Sequence, residues 1–166
     1  MAYYLHQEFK QINENIMNVI KILNLLSLMF LLVACSSVDR EKAEYFEQAK
    51  QMYQAGEYEK AGDIYRKILE LDPDELRARF HLAQTLEKLQ DFNGAASQYN
   101  AILEQDETHV RSRIRLGQFL LLAGNYDQAM EYAETAMKHA PDNADVLAFR
   151  GSVFLKQNNP ESAMRD

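Results

Sequence analysis

The sequence predicts an all-α fold over residues 42–166, in which about three and a half antiparallel helix pairs stack into an α-solenoid. The main observation is an internal repeat, because small, large apolar and turn-forming residues recur every thirty-four residues in this range. Two antiparallel helices of about three to four turns each, with two short turns, use about thirty-four residues. The second observation is that all three prolines fall at positions where this repeat places a turn.

Residues thirty-four positions apart occupy the same place in the repeat, and we call each such set a column. Two columns hold small residues, which would let the first helix (A) and the second helix (B) of a pair approach closely. The helix A column is Ala49, Ala83, Gly117 and Gly151, and the helix B column is Ala61, Ala95, Ala129 and Ala163. The turn within each pair is predicted where a helix end favours a positive φ. These turns are Ala55-Gly56, Gln90-Asp91, Gly124-Asn125 and Asn158-Asn159.

In chain order, the pattern predicts helices at 41–54, 58–70, 75–88, 92–104, 109–122, 126–139 and 143–156, with a last helix opened by Pro160. Asp72 is predicted to cap the third helix, because Pro73 and Glu75 complete a capping-box pattern. Thr108 and Asp142 are the predicted caps of later helices. The recurring rings of Tyr58, Phe92 and Tyr126 are predicted to be buried in the core.

The helices are preceded by an apolar stretch at residues 22–34, which lies between Lys21 and Cys35. Its thirteen residues fall short of the roughly 20 that a helix needs to cross a bilayer. A basic residue, a short apolar core and then small residues are typical of a secretory signal. Because such a signal begins close to its charged residues, we expect translation to start at Met17 rather than Met1.

The segment Leu32-Val33-Ala34-Cys35 resembles the bacterial lipoprotein signal. The resemblance implies that Cys35 is diacylated, that the signal is cut before it and that the new amino terminus is then acylated. Several acyl chains anchor a protein firmly. Two alternatives are a cleaved signal with a coincidental cysteine and a buried apolar helix with an inert thiol. The predicted organisation is an N-terminal extension and signal at 1–34, a tether at 35–41 and the repeat domain at 42–166.

The thirty-four-residue unit resembles the tetratricopeptide repeat (TPR) family, with repeats at about 42–75, 76–109, 110–143 and an incomplete 144–166. The resemblance implies a right-handed solenoid. The chain departs from the family at the tryptophan-type position, which holds Tyr45, Arg79, Arg113 and Leu147. It also has Glu107 at the repeat-ending proline position and Ala133 at the helix B aromatic position. The incomplete last pair predicts further repeats beyond Asp166, or else self-association through the open end.

The resemblance also implies a concave groove that binds a protein or peptide partner and is lined by the A helices. The groove candidates are Phe46, Lys50, Tyr53, Arg77, Phe80, Gln84, Glu87, Arg111, Ile114, Gln118, Leu121, Ala148, Ser152 and Leu155. Arg77 and Arg111 are one period apart and are predicted to project side by side, ready to bind carboxylates. The alternative is that they pair with neighbouring Glu and Asp, which would contribute little. The carboxylate-clamp pattern of chaperone adaptors is not matched, so no chaperone-tail binding is predicted.

Composition argues against several functions. The net charge of −7 arises entirely after Cys35 and disfavours nucleic acid as a partner. A single cysteine allows no internal disulfide, and the four histidines lack metal-ligand spacing. With no glycine-rich phosphate loop and no nucleophile elbow, the sequence predicts no enzyme, no cofactor and no metal.

These observations predict a non-catalytic scaffold for protein–protein interaction. It would be a TPR lipoprotein, anchored to a bacterial envelope membrane through Cys35, that faces the periplasm and assembles or positions envelope proteins. The serine after Cys35 resembles a signal for transport to the outer membrane. The alternative is an N-terminal regulatory segment of a larger envelope enzyme, such as a glycosyltransferase or peptidase. A third option is a cytosolic TPR protein with an N-terminal apolar helix.

Overall fold

A computed structural model of the chain describes Met17, Lys21, Leu23 and residues 38–164. These residues form helices and connecting turns, with no strand among them, which confirms the predicted all-α class. The helices are α1 (38–54), α2 (Tyr58–Leu71), α3 (Leu76–Lys88), α4 (Phe92–Gln105), α5 (Val110–Leu122), α6 (Tyr126–His139), α7 (Ala144–Lys156) and α8 (Pro160–Ala163). Most of the predicted signal, and Cys35 with it, lies outside the described residues.

The chain divides into two units, Met1–Glu44 and Tyr45–Asp166. In the first unit, residues 38–41 of the predicted tether are helical, so α1 includes at least three residues before its predicted start at 41. Ion pairs link Lys42 to Asp39 and Arg40 to Glu44 along this segment. The prediction that residues 35–41 join an anchor to the repeats stays a prediction.

In the second unit, each helix from α2 onward packs against the next helix along the chain, and α5 also packs against α7. The connections are short, which makes neighbouring helices antiparallel. The small residues of the helix A column are buried at the helix contacts, as predicted, and so are Ala61, Ala95 and Ala129 of the helix B column. Ala163, the last member, is half-buried.

The turn inside each pair has the same backbone geometry in all four repeats. Its central residue has a positive φ of 79° at Gly56, 61° at Gln90, 80° at Gly124 and 58° at Asn158. In each turn the next residue donates its N–H to a carbonyl five residues earlier, as in Glu57 N to Met52 O and Asn125 N to Leu120 O, both 2.9 Å. This pattern is the Schellman motif, and it confirms the predicted turns.

The predicted N-caps between repeats were wrong. The caps are Glu75, His109 and Asn143, one to three residues after the predicted Asp72, Thr108 and Asp142. The reason is that Asp72 forms a turn of its own, in which its carboxylate accepts from Asp74 N at 3.2 Å and its carbonyl from Glu75 N at 3.2 Å. Asp106 makes the equivalent bond to Thr108 N, at 2.9 Å.

In α3 and α5, the tryptophan-type position of the family holds an arginine, which forms a hydrogen bond to the turn before its helix. The guanidinium of Arg79 donates to Pro73 O, and that of Arg113 donates to Glu107 O, each at 2.6 Å. Both carbonyls lie in the inter-repeat turn, six residues before the arginine. The departure from the family pattern therefore keeps a link between helix A and the preceding turn, made by a hydrogen bond.

The buried residues form two clusters that differ in character. The first includes the rings of Tyr65, Phe80 and Tyr99, with apolar side chains from α1 to α5 around them. The second, in the later helices, contains mainly alanine and aliphatic side chains, with Phe149 as its one buried ring among the described residues. The prediction that Phe92 is core was wrong, since it is 52% exposed, and Tyr58 and Tyr126 are half-buried.

Candidate functional site

A cavity of about 590 Å³ runs across the A helices of the second unit. This A-helix cavity is lined by Tyr53 of α1, by residues of α3 and α4, and by residues of α5 and α7; the others are Phe80, Gln84, Glu87, Lys88, Phe92, Arg111, Ile114, Arg115, Gln118, Asp145, Ala148, Phe149 and Ser152. The lining combines aromatic and apolar surface with charged groups, a composition that is typical of ligand pockets.

Most predicted groove residues lie on this cavity. Those that line it are Tyr53, Phe80, Gln84, Glu87, Arg111, Ile114, Gln118, Ala148 and Ser152. The predicted residues that do not line it are Phe46, Lys50, Arg77, Leu121 and Leu155. That any of them contacts a partner stays a prediction.

Five lining residues were not predicted, namely Lys88, Phe92, Arg115, Asp145 and Phe149. The repeat register carried a signal for Asp145, because it occupies the same column as Arg77 and Arg111. Arg115 and Phe149 share a neighbouring column with His81, which the family pattern does not assign to the groove.

Arg77 and Arg111 each lie over an aromatic ring of the preceding repeat. The guanidinium carbon of Arg77 is 3.9 Å from the ring centroid of Phe46, and that of Arg111 is 4.7 Å from the ring centroid of Phe80. Such contacts contribute about 0.5–1 kcal/mol at exposed sites. Among the described residues neither guanidinium forms an ion pair. Residues 38–164 therefore do not have the alternative arrangement, in which these arginines pair with neighbouring carboxylates.

Arg115, also on α5, bonds to side chains of α3 and of α5. Arg115 forms a two-pronged ion pair with Glu87 of α3, in which Nε donates to Oε1 at 2.9 Å and Nη2 donates to Oε2. Its Nη1 donates to Gln118 Oε1 at 2.9 Å. The Tyr99 hydroxyl donates to Glu87 Oε1 at 2.7 Å, and burial raises the pKa of Tyr99, which keeps it a donor. This network joins repeats two and three at the cavity wall.

Two histidines lie beside the stacked arginines. The ring of His81 stacks on Tyr65 at 5.6 Å, and its Nδ1 is 3.1 Å from Gln84 Oε1. Burial lowers the pKa of His81, and the positive charges of Arg111 and Arg77 lower it further, against the raising effect of the Gln84 contact. Burial and then Arg111 also lower the pKa of His109, whose ring is 5.5 Å from Phe80. Both imidazoles therefore favour the neutral form.

The described residues contain no group of three or more His, Cys, Asp or Glu that could hold a metal ion. That the chain is not an enzyme and binds no cofactor or metal stays a prediction. Within the described part of the chain, no helix is long and apolar enough to cross a bilayer.

Comparison with protein families identifies the repeat. A tetratricopeptide repeat model matches residues 52–114, 88–152 and 120–165, which overlap and together span most of the chain. The matches begin at residues 52, 88 and 120, so their starts are 36 and 32 residues apart, close to the predicted period. A search of curated protein sequences finds no match to this chain.

Solved structures support the same fold. A chain of MamA from Desulfovibrio magneticus RS-1 that runs from residue 41 to its end is 16% identical, with a TM-score of 0.63, over 75% of this chain and 70% of that one. The TPR protein TTC0263 from Thermus thermophilus is 20% identical, with a TM-score of 0.64 and the same two coverages. Pseudomonas aeruginosa PilF is 25% identical, with a TM-score of 0.67, over 78% of this chain and 59% of PilF. At these identities the likenesses establish the architecture.

Proposed function

Because this chain belongs to the tetratricopeptide repeat family, whose stacked helix pairs serve protein–protein interaction, we propose that it is a non-catalytic scaffold that binds a peptide segment of a partner in the A-helix cavity. The observation that carries this proposal is the cavity itself, which crosses the A helices and is lined by most of the predicted groove residues. Its rings, amides and charged groups supply the contacts that hold a peptide side chain and fix its orientation.

The proposal extends to where the scaffold works. The apolar stretch at 22–34 followed by Cys35 supports a lipid anchor, which would hold the repeats at a bacterial envelope membrane on the periplasmic side. There the scaffold would assemble or position envelope proteins. The outer membrane is favoured by Ser36, which follows the cysteine.

The cavity is tested by crosslinking the full chain to its partners in bacterial membranes and recovering the products. The test variant is Ala148→Trp, because Ala148 lines the cavity and an indole ring there would fill part of it. The control is Ala101→Trp on α4, a residue that does not line the cavity. Loss of partners with Ala148→Trp alone supports the proposal, and equal recovery of every partner by both variants contradicts it.

The anchor is tested separately by labelling cells with radioactive palmitate. The wild-type chain should incorporate label and stay with the membrane fraction, whereas Cys35→Ala should do neither, because the acyl chains have no thiol to attach to. Label that persists in Cys35→Ala would rule out the lipid anchor while leaving the scaffold function untouched.

A further inference from the structure

The charges around the A-helix cavity do not balance, although the chain as a whole carries a net charge of −7. Lys88, Arg111 and Arg115 line it, against the carboxylates of Glu87 and Asp145. Arg77, over the ring of Phe46, adds a further cation on α3, one repeat before Arg111. An acidic protein with a locally cationic cavity has charge complementarity toward an anion at that one place.

The ion pairs around the cavity decide which cations are available. Glu87 is held by Arg115 and by the Tyr99 hydroxyl, so Glu87 and Arg115 neutralise each other. Arg77 and Arg111 form no ion pair with any described residue, and neither is fully buried. These two guanidiniums, together with the exposed ammonium of Lys88, are the cations that a ligand can reach.

Stacking prepares both guanidiniums for a planar anion. The ring beneath each guanidinium limits the positions that the fork can take. A guanidinium binds a carboxylate edge-on through two parallel N–H···O bonds, and a fork that is already oriented loses less side-chain freedom on binding. Lysine in the same place would offer the charge without the planar geometry.

We propose that the A-helix cavity takes an acidic peptide segment, in which two carboxylates bind Arg77 and Arg111 and an apolar side chain between or beside them enters the cavity near Phe80 and Ile114. This inference rests on the proposed function, since it names the chemistry of the peptide for the same cavity. Helices in contact lie roughly 8–10 Å apart, and α3 and α5 are joined by the Arg111–Phe80 and Arg115–Glu87 contacts. An extended segment rises about 3.3 Å per residue, so the two carboxylates should be about three residues apart.

The test is a selection of random displayed peptides on the purified full chain, followed by fluorescence anisotropy with the winning sequences. The winners should be enriched in Asp and Glu at that spacing, and replacing those residues by Asn and Gln should weaken binding. The variant Arg77→Glu/Arg111→Glu should lose about tenfold or more in affinity, because it turns two attractions into repulsions. Arg111→Lys should lose part of the affinity, since it keeps the charge without the fork.

The matched control is Lys67→Glu/Lys138→Glu, which makes the same charge change on α2 and α6, outside the cavity. It should bind the acidic peptides within a few-fold of wild type, as long-range repulsion is screened by salt. Should Arg77→Glu/Arg111→Glu fail to fold, as judged by circular dichroism, Arg77→Gln/Arg111→Gln removes the charges with less perturbation and should also lose affinity.

The results distinguish failure of this inference from failure of the proposed function on which it rests. Winning peptides without an acidic bias, whose binding is lost with Ala148→Trp but kept with the Arg77 and Arg111 variants, would overturn this inference and leave peptide binding in the cavity standing. Peptides that bind Ala148→Trp as tightly as wild type would overturn both. Acidic peptides that are lost equally in both charge-reversed pairs would show non-specific attraction and would also overturn the inference.

Discussion

The A helices of repeats two and three use arginine where the A helix of repeat four uses other side chains. Arg77 of α3 and Arg111 of α5 share one column, in which α7 has Asp145. Arg79 and Arg113 share another column, in which α7 has Leu147. A third column changes from Arg115 to the buried ring of Phe149. The backbone turns are nevertheless the same in all repeats. The thirty-four-residue period therefore determines the helical hairpin, whereas a given column can hold either hydrogen-bonding or packing side chains.

The largest expected change in the free energy of unfolding comes from breaking the Glu87–Arg115 ion pair, which joins the two helices that carry arginine. Arg115→Met should lower the free energy of unfolding by about 2–4 kcal/mol, because Glu87, with its side chain 11% exposed, would lose its ionic partner. Chemical denaturation measures the change. The double variant Glu87→Met/Arg115→Met should recover most of the loss, since no charge is then left unpaired.

The matched control for this pair is Arg66→Met. Arg66 bonds to Asp63 at 2.7 Å, but both side chains are at least half exposed, so the loss should stay within about 1 kcal/mol. Equal losses from Arg66→Met and Arg115→Met would mean that the cavity-wall pair contributes no more than a surface contact.

The next largest change in stability is expected at Gly117, where α5 packs against α7. A Cβ atom there would lie 2.3 Å from the Phe149 ring, so Gly117→Ala should cost about 1–3 kcal/mol through overpacking, despite the better helix propensity of alanine. Gly62→Ala is the control, because the nearest atom to its new Cβ would be 3.6 Å away. It should stabilise the fold by about 0.5–1 kcal/mol. Thermal or chemical denaturation of both variants decides; equal signs would contradict the close approach of α5 and α7.

A smaller effect is expected at Ser112, whose hydroxyl is buried on α5 and has no hydrogen-bond partner among the described residues. Ala78 occupies the same column in the preceding repeat. Ser112→Ala should therefore be neutral or raise the unfolding free energy by up to about 1 kcal/mol, because it removes a buried group that gains nothing from burial. A clear loss of stability on denaturation would show that the hydroxyl is bonded in solution.

The smallest expected effect is a pH dependence from His81. Because burial lowers its pKa, the folded chain binds fewer protons than the unfolded chain below the usual histidine pKa of about 6.5. The stabilising contribution is complete above that value and is lost as pH falls through the lowered pKa. The His81 ring lies against Tyr65, Phe80 and Gln84, and the charges of Arg111 and Arg77 act on it.

His81→Phe should therefore flatten the decline of unfolding free energy between neutral and mildly acidic pH. Denaturant titrations at several pH values measure it. Matching slopes in His81→Phe and the wild-type chain would show that the imidazole titrates as it does in the unfolded state.

The period and the backbone could be predicted from the sequence because they depend on spacing alone. The turn residues Gly56, Gln90, Gly124 and Asn158 stand thirty-four residues apart, and each has the expected positive φ. The N-caps were missed because several Asp, Thr and Asn residues crowd each inter-repeat turn, and local spacing does not tell which one caps the helix and which closes the turn.

The cavity wall could be predicted only in part. Arg77 and Arg111 were found because they share a repeat column, but the Arg115–Glu87 pair joins residues twenty-eight positions apart, which is not the period. Likewise nothing local distinguishes the exposed Phe92 from Tyr58 and Tyr126 in the same column. Contacts between columns of adjacent repeats depend on how the hairpins stack, which a single repeat does not encode.

The Schellman turns have a consequence for how such a protein changes over evolutionary time. Each is closed by main-chain hydrogen bonds, so a repeat carries its own bend and needs no matching side chain from elsewhere to make it. A thirty-four-codon stretch is then a cassette that encodes one hairpin together with its bend. Duplicating one cassette would add one more A helix to the binding wall, and deleting one would shorten it, while every remaining bend kept its shape.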